Sequence, residues 1–234
     1  MSAGIYAQGL GSDFERLQPE LKEYFSLEPG SGHYGVGQGI FDIAGCPQPW
    51  LRPLLRLSTE ERAFFPEYGT QIPFRVENHA HLDPFGRPSL TTRRELDFPG
   101  QRRVFENTTS LLPAGLVDYL GRHRRIVTDL APSVEADGTL RAISQHSRLF
   151  LGRWRLRLPV ALDAKAYARQ WWDRDSGQHR IQVKVIHPQL GVILLYAGGF
   201  DYELHRYPSA EAAAHGVPSS LPSSVQPSRW EVRS

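Results

Sequence analysis

A single cysteine, Cys46, in 234 residues excludes an intramolecular disulfide framework and a multi-cysteine zinc site. Long apolar runs are equally scarce. The longest, Val192 to Ala197, is far short of the roughly 20 residues a membrane-spanning helix requires, and Met1 to Leu10 lacks the basic start and apolar stretch of a secretory signal. The expectation is a soluble, cytoplasmic protein with no membrane span. Net charge is only +2, and the arginines come without an aromatic-rich RNA motif, so nucleic acid is not an expected partner. Gly35, Gly37 and Gly39 do not have the spacing of a dinucleotide-binding loop, and neither a nucleophile elbow nor a zinc-hydrolase helix occurs.

What the chain does have is alternation. From Gln71 to Leu112 three strand-like segments follow one another across two short turns. In the first, Ile72, Phe74, Val76, Ala80 and Leu82 alternate with Arg75, Glu77, His79 and His81, the period of two of a strand with one buried face. Asp83-Pro84-Phe85-Gly86 supplies a turn, and Leu90, Leu96 and Phe98 mark the buried face of the second segment. Pro99-Gly100 then leads into Arg102 to Leu112. These read as adjacent antiparallel strands.

Upstream, Ser12 and Glu15 form a capping-box pattern, and Leu21, Tyr24 and Phe25 recur at helical spacing behind Pro19, which is suited to the first position of a helix. Gly30 to Gly45 reads as a bulged or closely approached strand. Pro47 to Tyr68 reads as two short helical segments, Trp50 to Leu57 and Thr59 to Phe65, covering one end or face of a sheet. Pro113 to Gly121 suggests a turn and a short helix. Ala136-Asp137-Gly138 and Asp175-Ser176-Gly177 are hairpin signals between further strand-length segments, and Trp154 to Leu158 extends or crosses the sheet. Beyond Tyr207 the composition turns to Pro, Ser and Ala, as in a disordered tail over 208–234. The expected fold is α+β, mainly β: a single domain over 1–207, with a curved antiparallel sheet closing into a barrel or half-barrel beneath a short N-terminal helical lid.

Phe74 to Asn78, Arg94 to Phe98, Val117 to Gly121, and His187-Pro188 with Gly191, Tyr196, Gly198 and Phe200 resemble an uncharacterised bacterial family. Its members occur alone or at the C-terminus of proteins similar to saccharopine dehydrogenase. The resemblance spans about Asp13 to Leu204. It implies a single domain and a redox-enzyme neighbour, and it brings no activity or cofactor; an aromatic associated with the position two before Arg94 is Thr92 here.

Asn78 and Arg94 stand out because both fall on the apolar face of their strands, where an unpaired guanidinium is strongly disfavoured. Arg94 is either paired within the fold, with Glu106 or Asp118, or anchors the carboxylate or phosphate head of a mainly apolar ligand. With the family motifs, the candidate ligand-binding set becomes Asn78, Arg94, Asp118, His187 and Tyr196. Asp118, His123, His146 and His187 supply an acid and a base only if the fold converges them. His79 and His81 share one strand face and invite a metal, but two ligands do not complete a site, and they are expected to point to solvent. The leading reading is binding of a small hydrophobic or amphipathic ligand without catalysis, cofactor or metal. The alternatives are an enzyme or accessory domain beside an oxidoreductase, and a purely structural module.

Overall fold

The computed structural model describes residues 4–56, 59–83, 85–151 and 154–209. Its N-terminal segment is built by Pro19 at a helix start and by Leu21, Tyr24 and Phe25 one turn apart, which place one apolar stripe against the sheet. Helix α1 (Ile5–Leu10) and a 3₁₀ turn over Gly11–Arg16 precede α2 (Pro19–Phe25). Ser12 makes no capping bond; that segment winds as 3₁₀ instead.

Eleven strands follow: β1 (His33–Gly45), β2 (Tyr68–Leu82), β3 (Pro88–Phe98), β4 (Gln101–Leu112), β5 (Gly115–Leu120), β6 (Ile126–Val134), β7 (Leu140–Leu151), β8 (Trp154–Arg157), β9 (Lys165–Asp173), β10 (Gln178–His187) and β11 (Gly191–Arg206). Between β1 and β2, residues Pro49–Leu51 and Thr59–Glu61 are 3₁₀ turns around α3 (Arg52–Arg56). All strand pairs are antiparallel, and the β6–β7 pairing closes the order β6-β5-β4-β3-β2-β1-β11-β10-β9-β7 into a ten-stranded barrel. Closure removes sheet edges that would otherwise stay unpaired. Strand β8 lies outside the ring. It occupies the same side of β7 as β9, which takes Leu140 to Ile143 while β8 takes Arg148 to Leu151.

The glycines of β1 are explained by contact. A Cβ on Gly39 would lie 2.1 Å from the Gly199 carbonyl oxygen, and one on Gly35 would overlap the Tyr202 ring, so this stretch is the closely approached strand its composition predicts. A register shift between Phe41 and Ile43 adds the bulge. The Val117 to Leu120 segment is a strand, not a helix. Leu116, Asp118 and Leu120 point inward while Val117 and Tyr119 are buried on the outer face, and with both faces covered the period of two carries no polarity signal.

The α1–α2 segment closes one end of the barrel. The Gln18 amide accepts from the Trp172 backbone N–H at 2.7 Å, and its own backbone N–H donates to the Gly138 carbonyl at 3.1 Å. Residues 49–56 and 59–65 cover the opposite end, with Phe65 against Phe98 and Leu51 beside Ile193.

Candidate functional site

Between these two ends the barrel encloses a cavity of about 390 Å³. Inward-pointing Leu140, Ala142, Ala168, Ile181, Val183 and Leu194 form a large part of its wall, and Tyr6, Tyr24 and Phe25 close it on the helical side. All five candidate residues, Asn78, Arg94, Asp118, His187 and Tyr196, line it. They do not form one cluster. His187 stands at the β10–β11 turn, half-buried, its Nδ1 accepting from the Gln189 backbone N–H at 3.2 Å.

The polar groups gather on β2 to β5, directly opposed across the ladders. Arg94 pairs in register with Val76 and Phe105, and Asn78 with Thr92. Arg94 Nη1 donates to Asn107 Oδ1 at 3.0 Å, and its guanidinium lies 5.6 Å from the centre of the Phe105 ring. Asn107 Nδ2 in turn donates to Asp118 Oδ1 at 2.8 Å, which also accepts from Thr109 Oγ1 at 3.0 Å. Among the described residues no carboxylate comes within 4.0 Å of the Arg94 guanidinium. Asn78 Nδ2 donates to the Tyr24 hydroxyl at 3.0 Å while its Oδ1 accepts from Thr92 at 2.9 Å. Burial raises the Asp118 carboxyl and the Tyr24 and Tyr196 hydroxyls above their ordinary ranges, and the Arg94 charge opposes that rise in all three.

Two expectations are corrected. Glu106 does not pair with Arg94. It lies on the outer face of β4, fully buried, with Oε1 accepting from Arg124 at 3.2 Å and Oε2 from Arg62 at 3.2 Å. His79 and His81 do not face solvent; both are fully buried. His81 Nε2 bonds Thr91 Oγ1 at 2.8 Å and its Nδ1 lies 3.2 Å from the Leu82 carbonyl, while His79 stacks on Tyr34 and approaches Tyr207. The reason is a second layer. Tyr34, Tyr207 and the Arg124 side chain cover the outer face of β2 to β4, so a polar alternating face here is buried and hydrogen-bonded rather than wet. His123 and His146 are also outside the cavity, the first 2.9 Å from Glu61 and the second 3.2 Å from Arg157.

The residues that sequence reasoning missed are Asn107, Thr109, Tyr6 and Tyr24. Asn107 and Thr109 were within reach, being in phase with Phe105 on a strand already identified. The tyrosines arrive from helices whose docking no local pattern specifies.

Comparison with known proteins gives a family for the chain. A family model described as a domain of unknown function, DUF4166, matches residues 17–200. The chain belongs to that family. The matched span runs from just before α2 into β11, taking in β1 to β10 whole and β11 as far as Phe200. The uncharacterized protein YndH of Bacillus subtilis (strain 168) is 25% identical over 203 residues, covering 86% of this chain and 98% of the relative. No solved structure is significantly similar. The span matched by DUF4166 holds the residues that line the cavity apart from Tyr6 and assigns the cavity no ligand, and no helix among the described residues is long and apolar enough to cross a membrane.

Proposed function

We propose that the barrel binds a small amphipathic molecule, its carboxylate or phosphate head at Arg94 and its apolar body along Ile181, Val183 and Leu140. The observation that supports this is the state of Arg94. A guanidinium has five donors, and here a hydrogen bond to a neutral amide, that of Asn107, engages it inside a cavity with much apolar wall. A planar anionic head would accept bidentate, charge-assisted bonds from the remaining fork. Tyr24, from the helical end, and Tyr196, from β11, line the same cavity and offer further hydroxyl donors. Asn78 positions Tyr24, Asp118 fixes Asn107, and His187 stands where the apolar end of the ligand reaches the rim.

The test uses a fluorescent polyene fatty acid and its methyl ester. The acid should bind the native protein more tightly than the ester by about 10- to 100-fold, the worth of charge-assisted hydrogen bonding, and Arg94→Met should erase the preference while retaining the ester. Equal binding of acid and ester by the native protein, or no binding of either, would overturn the proposal. The redox-enzyme neighbour is a second proposal that rests on the family resemblance alone, and co-purification of an oxidoreductase with the tagged protein from its host would test it.

A further inference from the structure

The β7–β8 hairpin projects past the barrel rim, and its two faces differ. Register pairs Leu149 with Leu156 and Leu151 with Trp154, placing these four on one face, while Arg148 with Arg157 and Phe150 with Arg155 take the other. Leu149 lines the cavity, and Arg148, paired with Asp129, borders it as well. The apolar face of the hairpin is therefore a continuation of the cavity wall into solvent. Trp154 is 62% exposed and Val160, in the turn that follows, 83%. Leu162 is half exposed and lines the cavity as well. Across this end Trp50, on the segment that packs beside Ala164 and Ile193, is 61% exposed.

Soluble proteins seldom leave several large apolar side chains this exposed around one rim, and such a rim marks something that docks. Charge identifies what. Among the described residues of these two stretches, 47–56 and 148–162, there are five arginines, Arg52, Arg56, Arg148, Arg155 and Arg157, and no acidic residue, whereas the chain as a whole is nearly neutral. Tryptophan and leucine flanked by arginine are the composition of surfaces that lie in the interfacial region of an anionic bilayer, rings at headgroup depth and guanidinium groups on phosphate. We infer that this rim docks on anionic membrane surfaces, with this end of the barrel against the lipid. The docking stands on the rim alone, and only the exchange of ligand with the bilayer rests on the function proposed for Arg94.

Vesicle co-sedimentation tests it, with phosphatidylcholine vesicles compared with vesicles that also contain phosphatidylglycerol. The native chain should sediment with the anionic vesicles only, and less as salt rises. Arg155→Glu with Arg157→Glu should lower partitioning by more than about tenfold, since each basic residue near such a surface contributes about 1 kcal/mol; Trp154→Ser with Leu156→Ser should do the same at unchanged charge. All four positions are exposed, and matching thermal melts would confirm that the variants fold. Arg94→Met should sediment like the native chain, which separates this proposal from the one about the cavity. Failure of the native protein to sediment at low salt, sedimentation of either rim variant equal to that of the native chain, tighter binding to an RNA oligomer than to vesicles, or a solution dimer dissolved by the Trp154 variant would each overturn it.

Discussion

Strands β2 to β5 carry two polar clusters on opposite faces of the same residue ladder, and adjacent residues belong to different ones: Glu106 and Thr108 outward, Asn107 and Thr109 inward. The outward cluster pairs charge with charge. Both oxygens of Glu106 are taken by arginines, and Arg124 Nε also donates to Thr108, whose hydroxyl bonds Thr91, which in turn bonds His81. The inward cluster pairs its charges only through neutral groups, Arg94 and Asp118 meeting across Asn107. A network whose ionic groups satisfy one another holds structure. One whose guanidinium meets its carboxylate only through an amide, on the wall of a cavity, is what the proposed function builds on.

The comparison is broken most severely by removing Glu106. Glu106→Ala leaves the Arg124 guanidinium buried without its carboxylate, and such a loss typically costs 3–5 kcal/mol. Denaturant unfolding should show a drop of about that size at pH 7, and a change below about 1 kcal/mol would mean that the outer cluster is not what holds these strands in register. Acid should open the same cluster from its other end. Burial lowers His81 to about 4, below the ordinary value near 6.5. With the folded value depressed, the contribution of the neutral ring is fully present above about pH 6.5 and is lost as pH falls towards 4. The span corresponds to something on the order of 3 kcal/mol. His81→Asn should flatten the stability profile between those limits, and an unaltered profile would show that the ring is protonated without cost.

Which of the two clusters was legible beforehand follows from what alternation can and cannot say. Ile72 to Leu82 and Leu90 to Phe98 show unambiguously which residues share a face, so Arg94 and Asn78 emerged from the sequence as misfits on an apolar side. The same pattern says nothing of what covers the opposite side. His79 and His81 therefore looked wet, since Tyr34 and Tyr207 reach them from β1 and from the residue after β11, 45 and 128 positions away from His79. Barrel closure was suggested by the number and length of the strands, but the β6–β7 seam and the displacement of β8 depend on long-range pairing. The exposed apolar face of β8 was hidden for a related reason. Alternating Arg155 and Arg157 with Trp154 and Leu156 predicts one buried side, and only the rim position of the hairpin leaves both outside.

On the inner side the expected stability effects are smaller. Arg94→Met removes one hydrogen bond and the contact with Phe105, so unfolding free energy should change by no more than about 1 kcal/mol. A loss comparable to that of Glu106→Ala would make Arg94 a structural partner of Asp118 and remove the contrast between the two faces.

Asp118→Asn is the finest probe of that contrast. The asparagine oxygen can still accept from Asn107 and Thr109, so the geometry of the chain Thr109–Asp118–Asn107–Arg94 is kept while one negative charge is deleted. Burial raises the folded carboxyl above its unfolded value, so the native state is at its relative best below about pH 4, and stability falls as pH rises through the folded value. The variant has no such loss. Its melting temperature should therefore match that of the native protein at the acid end and exceed it progressively towards neutrality, by an amount worth about 1 kcal/mol or less. It should also bind the anionic probe a few-fold more tightly, because the carboxylate that competes for Arg94 through Asn107 is gone. If the variant instead melts lower at neutral pH, ionised Asp118 stabilises Arg94 across the amide, and the inner cluster is a relayed ion pair with the same structural purpose as the outer one.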